Sequence, residues 1–600
     1  RNFSLRIELY YHRFYYHKRP GGNDMSVNQH HYSQRKLFDP TPYKNTNQEK
    51  YLTGKKGKVT FKPYDMNQLF LLPPSLDELI PPNHLVRVIN DTIDKIDIEP
   101  LLMQYKGGGT SSYHPKMMLK VLVYAYSQKI YSSRQIAKAL RENIFFMWLS
   151  GNNRPDFRTI NRFRSSTMKN VIDDVFIEIL TFLIEEGYVK LENYFLDGTK
   201  IEANANKYSW VWGKSTKKYH QKLQENIKKL LAEIEQYNEA ENQVYGDRDL
   251  EELGNESTID SEKITEAAKR LDEKLKKREN NETINPEELA DKVKELEDKL
   301  TKEPNNKHLR KVVNKLRKDY LPRCKKYEEQ MKILNGRNSY SKTDPDATFM
   351  RMKEDRMKNG QLKPGYNVQI GTENQFIVWF SVHQKPGDAT CLIPHLKELK
   401  EKLGGRLPKN IIADAGYGSE ENYEYLEEEG LGNYVKYNTF HQERKKKYKE
   451  APYRVENLRY NPEKDEYYCP AGKKFIYRKT SSYKTDNGYT AHYRVYEAED
   501  CSNCPQKTKC TKAAGNRRIQ VNTNLNRHKE KARANLCSEQ GVLLCPQRGV
   551  EVEPVYGTIK QNRGFRRFLL RGLKKVKIEW GIVSIAHNLS KMAQVKFGVF

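Results

Sequence analysis

Two short apolar runs, Tyr194-Phe-Leu-Asp-Gly198 and Asn410-Ile-Ile-Ala-Asp414, constrain the fold of this chain more than any other feature. Each reads as a buried strand that delivers a carboxylate at its C-terminal end. Buried strands need helices over them, and open sheets covered by helices hold their functional groups at the carboxyl edge. One strand-end Asp is ordinarily a turn former. Two of them, on strands expected to be neighbours, make Asp197 and Asp414 candidates for chemistry.

The flanking pattern completes a layer. Tyr366–Ile370 and Phe376–Val382 flank Gly-Thr-Glu-Asn-Gln and predict a hairpin. Thr390–Leu403 is amphipathic, Ser419 caps a helix to Glu429, Tyr434–Tyr437 is a further strand, and helix resumes over Val552–Met592. Strand, hairpin, helix, strand, helix, strand, helix fits a ribonuclease-H-like α/β layer, a mixed sheet under helices. This core occupies 191–214 and 337–440, with closing helices in 546–600.

Two insertions interrupt it. Residues 215–336 are rich in Lys and Glu and carry apolar seams spaced alternately four and three. The seams are Leu223, Ile227, Leu230, Ile234 and Tyr237; Ile264, Ala268, Leu271 and Leu275; Leu289, Val293, Leu296 and Leu300; and Leu309, Val313, Leu316 and Tyr320. They predict a coiled-coil-like helical hairpin or small bundle, whose simplest role is a solvated spacer. Residues 441–545 are basic, Tyr-rich and Cys-rich.

Ahead of the layer, 65–190 reads as an all-α DNA-binding domain. Met117, Leu119, Val121, Leu122 and Tyr124 mark one helix, and Val171, Val175, Ile179, Leu180 and Leu183 another. Ser132 and Ser133 cap a short helix over Arg134–Leu140, and Asp156 caps a second over Phe157–Arg164 that carries Arg158, Arg162 and Arg164. The pair resembles a helix-turn-helix, although the interval Phe145–Pro155 is too long for the tight form. Packing helices are the plainer alternative. Residues 1–64 read as a flexible basic arm with Lys55, Lys56 and Lys58; Arg1–Asp24, upstream of Met25, read as read-through or a cloning remnant.

Charge names the class of partner. The 106 Lys+Arg outnumber the 78 Asp+Glu, a formal net charge of +28. That points to a polyanion, nucleic acid before an anionic membrane, with solubility as the bland reading. No apolar run approaches the roughly 20 residues of a membrane span. At roughly 150 residues per domain, 600 residues imply three or four units.

A third acid completes the candidate site. Glu551 and Glu553 both precede the last helices, and Pro554, tolerated only in a first helical turn, places Glu553 at a helix start. Lys560 lies seven residues on, and so on the face of Glu553. Three converging carboxylates repel one another unless cations intervene, and oxygen ligands without His select Mg²⁺ or Mn²⁺. Two ions about 3.5–4 Å apart suit phosphodiester displacement. Arg548, Lys560, Arg563, Arg566 and Arg567 would hold phosphates nearby, unless they are simply a solvated helix face.

Eight cysteines are too few for a disulfide scaffold in a chain of this length. Cys501-x2-Cys504-x5-Cys510, with Cys469 as a fourth, instead suggest a tetrathiolate Zn²⁺ site with a structural or DNA-gripping role. His492, Cys537 and Cys545 are alternative ligands, and plain reduced thiols are the other reading. Cys324 and Cys391 read as helix packing residues.

Several blocks carry a family resemblance. Asp197-Gly-Thr-Lys-Ile-Glu-Ala-Asn-Ala-Asn-Lys-Tyr208, Ala413-Asp-Ala-Gly-Tyr-Gly418 and Glu553-Pro-Val-Tyr-Gly-Thr-Ile-Lys560 are similar to the three acidic blocks of bacterial insertion-sequence DDE transposases. Gly564–Leu573, Ala586-His-Asn-Leu589 and Tyr113-His-Pro-Lys116 extend the likeness over 65–600. Lys560 keeps the spacing of the related Tyr-Arg-Glu-Lys signature, whereas Arg548 lies one residue further out and no Tyr precedes it. The resemblance implies that Asp197, Asp414 and Glu553 are the DDE triad. It further implies binding to terminal inverted repeats and target double-stranded DNA, metal-dependent strand cleavage and transfer, a homodimer on DNA, and work in the bacterial cytoplasm at the nucleoid. Two readings stay open beside it: a catalytically inactive, transposase-derived DNA-binding protein, and a ribonuclease-H-like nuclease without strand transfer.

Overall fold

The computed structural model describes residues 61–62, 75–105, 108, 111–245, 284–302, 304–352, 362–485 and 487–598, with side chains up to 233 in the third long stretch. The basic arm and the Ile264–Leu275 seam lie outside the described residues.

The main sheet has six strands: β1 (Asn193–Glu202), β4 (Thr348–Arg351), β5 (Leu362–Glu373), β6 (Phe376–His383), β7 (Asn410–Ala413) and β8 (Gly432–Val435). The short pair β2 (Trp210–Trp212) and β3 (Ser339–Ser341) stands apart from it. The order is β4-β5-β1-β7-β8, with β6 also on β5. β5 runs antiparallel to β1, β4 and β6, whereas β7 is parallel to both β1 and β8.

Both apolar runs are strands, but they end differently. β1 does not stop at Asp197; it continues to Glu202 because β5 pairs with it as far as Glu202↔Gly365. β7 does stop at Ala413, whose partner is Leu196. Asp197 is therefore the first β1 residue past the end of its parallel neighbour, and Asp414 is the next residue of that neighbour. The hairpin is also tighter than its sequence suggests. Only Asn374 and Gln375 turn, at φ of 54° and 63°, the left-handed pair that matches strand twist. Asn-Gln lacks the usual glycine, which is why a longer loop is expected there. β8 pairs two residues earlier than expected.

Helices bury the layer. Leu573–Phe597 packs on β6 and on the N-terminal helix Pro115–Ser127, so its buried residues have no single polar face. Its Trp580 is fully buried, and Asn588 clamps the β6 backbone, with Oδ1 accepting from the Ile377 amide and Nδ2 donating to the Ile377 carbonyl, both at 2.8 Å. One continuous apolar core runs through the N-terminal helices, the sheet and this helix. The expected single helix over Val552–Met592 is instead Glu553–Gly557, a π turn Thr558–Asn562, an irregular passage and Leu573–Phe597.

The Lys/Glu-rich insertion folds as helices Gly213–Tyr245, Pro286–Lys302, Lys307–Lys315 and Leu321–Leu334 around its own core. Leu223, Ile227, Leu230, Leu289, Val293, Leu296, Leu309, Val313, Leu316 and Tyr320 are all buried, as their spacing predicts. A π turn at Leu316–Tyr320 absorbs Pro322 in the following turn. Cys324 is buried here as expected; Cys391 is buried but sits just ahead of helix Leu392–Lys402.

The Cys-rich insertion forms a second sheet, ordered β13-β12-β11-β10-β9. Its strands are β9 (Arg459–Asn461), β10 (Glu466–Tyr468), β11 (Lys474–Lys484), β12 (Thr490–Ala498) and β13 (Arg518–Val521). Its buried core is six residues, Leu458, Phe475, Tyr496, Ala498, Ile519 and Val521. Among the described residues, no helix is long and apolar enough to cross a membrane.

Candidate active site

Register brings the two aspartates together. Leu196 and Ala413 are paired on parallel strands, so Asp197 and Asp414 follow side by side. Asp197 is 8 % exposed, and its Oδ1 accepts from the Gly198 amide at 2.7 Å. Asp414 caps the turn Ala415–Tyr417, its Oδ1 accepting from the Gly416 amide at 2.8 Å.

Glu553 joins them through Arg548. The Arg548 guanidinium lies 3.3 Å from Asp197 Oδ2 through Nη1, and 3.7 Å from Glu553 Oε1 through Nη2. Pro554 opens the helix Glu553–Gly557, as its ring requires, and the Glu553 carboxylate is solvent-exposed. Glu551 points elsewhere: it is buried, its Oε2 accepts from the Gln375 amide at 2.7 Å, and burial raises its pKa. Tyr556 ties the Glu553 helix to β1, its hydroxyl donating to the carbonyls of Asp197 at 2.9 Å and Val368 at 3.1 Å. Burial first, then the charges of Asp197 and Asp388, hold this phenol well above its ordinary pKa, so it stays a donor.

A polar floor lies on the other face of β1, and sequence patterning misses it. Asp388 Oδ1 accepts from Asn367 Nδ2 at 2.8 Å and Gln369 Nε2 at 3.0 Å, while Tyr417, in the turn after Asp414, donates to Gln369 Oε1. Gly198 is obligatory here, because a Cβ would sit 2.2 Å from Gln369 Nε2 and 2.8 Å from Asp388 Oδ1. These groups meet from four segments distant in sequence, so no local spacing announces them. The Asp197-Gly198 dipeptide within β1 is the one available hint.

The basic residues divide. Lys560, in the π turn Thr558–Asn562, is buried rather than solvated, and its Nζ donates to Thr199 Oγ1 at 3.0 Å. Thr199 is two residues along β1 from Asp197 and so on the same face. Arg164 is also buried, 3 % exposed, with Nη1 donating to Tyr126 Oη at 2.9 Å and the Tyr131 carbonyl at 2.7 Å. Its expected contact with DNA is thus replaced by a packing role. Arg563 is only partly exposed, and burial lowers its pKa. Arg158, Arg162, Arg566 and Arg567 are exposed. Asp156 caps the helix Phe157–Ser165 as expected, but a further helix, Ile144–Leu149, fills the interval before it.

Among the described residues, no three His, Cys, Asp or Glu side chains form a ready-made metal cage. The acids nevertheless offer oxygen donors only, around a cation, Arg548, that already bridges two of them. That donor set fits Mg²⁺ or Mn²⁺ in kind.

Two family models match the chain: a transposase DDE domain over residues 468–593 and a transposase domain (DUF772) over 74–166. Both matches are to transposase domain families. Together they are consistent with an insertion-sequence DDE transposase. No curated protein matches the chain. The transposase DDE match includes Glu553, Tyr556 and the six cysteines from Cys469 to Cys545, and the DUF772 match includes the exposed Arg158 and Arg162.

Proposed function

We propose that this transposase binds the terminal inverted repeats of its own element, cuts there and joins the freed ends to target DNA. Its catalytic layer is read as ribonuclease-H-like, with Asp197, Asp414 and Glu553 as the catalytic acids. The observation that carries this is the register Leu196↔Ala413, which sets two aspartates side by side, with Arg548 spanning from Asp197 to Glu553. When bound by these three acids, two Mg²⁺ or Mn²⁺ ions would activate the attacking oxygen and steady the leaving one.

The chain's own residues do the rest. Glu553, exposed at the start of its helix, is the acid that presents its carboxylate to solvent. Arg548 neutralises the resting site and is then available to a phosphate. In cleavage, water attacks phosphorus, the P–O3′ bond breaks, and the 3′ oxygen leaves as a hydroxyl. In joining, that hydroxyl attacks a target phosphorus and displaces the target's own 3′ oxygen, so bond count is conserved. Arg158, Arg162, Arg566 and Arg567 contact the backbone, and two ends require two copies, hence a homodimer on DNA at the nucleoid.

The test incubates the full chain and Asp414→Asn with Mg²⁺ and labelled DNA carrying the inverted repeats that flank its gene. Mg²⁺-dependent nicking and joined product, both lost in Asp414→Asn, are expected. Unchanged activity in the variant overturns the assignment. Binding without cleavage indicates an inactive DNA-binding derivative, and cleavage without joined product a nuclease.

A further inference from the structure

We propose that Cys469, Cys501, Cys504 and Cys510 form a tetrathiolate zinc site that closes the second sheet. This inference is independent of the catalytic reading. The four thiols line one cavity, together with Lys473, Lys507 and Arg517. Their positions come from two separate turns. Cys469 opens the tight turn between β10 and β11: its amide donates to the Lys473 carbonyl and the Gly472 amide donates to its carbonyl, both at 2.9 Å. Gly472 takes φ 79°, which only a residue tolerant of left-handed backbone supplies without strain. The other three come from the passage between β12 and β13. There the Cys501 amide donates to Asn516 Oδ1 at 2.9 Å, and the Lys507 amide donates to the Cys504 carbonyl at 3.1 Å.

The remaining cysteines show what distinguishes these four. Cys391 is sealed in the main core, where burial pushes its thiol up to about 12, and Cys324 is likewise raised by burial. Cys537, exposed, and Cys545, half-buried with its thiol raised by burial, are both absent from the cavity lining. The cavity thiols are half-buried, and Arg517 Nη1 donates to Cys510 Sγ at 3.1 Å. Four thiolates on Zn²⁺ carry a net charge of −2, and Lys473, Lys507 and Arg517 offset it.

The sheet needs such a closure. Six buried residues are a small core for five strands, and modules of this size ordinarily rely on a metal or disulfides. The thiols share one cavity but do not form a metal cage among the described residues, so zinc binding would have to draw them together. Four sulphur donors also leave no open position, so the site is structural and not catalytic.

The decisive experiment is metal analysis of the full chain, purified without chelator, by inductively coupled plasma mass spectrometry. About one zinc per chain is expected, falling at least about twofold in Cys504→Ser and in Cys469→Ser and unchanged in Cys391→Ser. Cobalt substitution of the wild-type chain keeps the proposal testable if those variants misfold: intense visible bands of tetrahedral thiolate-bound Co²⁺ are expected. Less than about half an equivalent of zinc, with the four thiols all reacting with Ellman's reagent in the folded chain, overturns the site. So do iron in place of zinc, a Cys501–Cys504 disulfide in the purified protein, or full zinc in both variants.

Discussion

The two sheets are held by different means, and the difference decides where sequence can be read and where it can be broken. The six-stranded sheet lies inside a core continuous with the N-terminal helices and with Leu573–Phe597. Its packing over-determines the position of each strand, so it tolerates buried polar groups such as Asp197, Asn367 and Gln369 at its centre. The five-stranded sheet has six core residues, while most of β11 beyond Tyr477 faces solvent. It touches the catalytic layer through its hairpin, where Thr485 Oγ1 donates to Glu421 Oε2 at 3.1 Å and Tyr489 to Glu424. Apolar burial positions the acids, whereas the second sheet rests on turns, a small core and, in our proposal, thiols bound to zinc.

The sharpest break of the first sheet is Trp580→Ala. Trp580 is fully buried among Phe565 and Phe568, and its loss leaves a cavity that costs about 3–5 kcal/mol. Thermal unfolding followed by tryptophan fluorescence measures it, because all five tryptophans (148, 210, 212, 379 and 580) lie outside the second sheet. Removing metal with a chelator should leave that signal nearly unchanged if the two sheets are held as argued. A joint collapse would erase the distinction.

Acid should strain the first sheet through His383. Burial, and then Lys577, lower its pKa from 6.5 to about 4. Between those values the unfolded chain carries the proton and the folded chain does not, so stability rises with pH across the window and is lost on acidification. The loss at pH 5 is about 2 kcal/mol for this residue alone. Urea unfolding at pH 8 and pH 5 should show a smaller difference in His383→Asn than in wild type; equal differences would remove His383 as a cause.

Tyr556→Phe probes the seam where packing meets chemistry. It deletes one hydroxyl that donates to the carbonyls of Asp197 and Val368, leaving them short of a donor at a cost of about 1–3 kcal/mol. If that hydroxyl fixes Glu553 relative to Asp197, cleavage should fall several-fold more than the thermal midpoint explains. A purely structural role would lower stability and leave the rate of the remaining folded protein intact.

What sequence disclosed follows the same division. β7 and the start of β1 were legible because each is a run of apolar residues ended by a charge, and Glu553 because Pro554 allows only one placement. The ten-residue extent of β1 was not, because it is set by β5, which is more than 150 positions away. The burial of Lys560 was not legible, because its partner Thr199 is 361 positions away. Asp388, Gln369 and Tyr417 assemble only in three dimensions. Cys501, Cys504 and Cys510 stood out as a motif because they lie within ten residues, whereas the turn that brings Cys469 to the same cavity is set by the second sheet.

The smallest expected effect separates two arginines that look alike on paper. Arg158 is exposed on the helix Phe157–Ser165, and Arg164, two turns on, is buried against Tyr126 and Tyr131. Arg158→Ala should cost DNA affinity about 1 kcal/mol or less and reduce the salt dependence of binding by close to one phosphate contact, with no change in melting temperature. Arg164→Ala should do the reverse. Burial raises the pKa of Glu579, a shift that the Arg164 guanidinium opposes, and the Glu579 Oε2 accepts from the amides of Leu569 and Leu570 at 2.9 and 3.0 Å. Removing the guanidinium leaves that carboxylate without its largest neighbouring cation and loosens the passage that carries Arg566 and Arg567. Salt titrations of binding beside melting curves for both variants decide the matter: equal salt slopes and equal melting temperatures would mean that burial, the property on which the whole contrast rests, does not assign roles to these arginines.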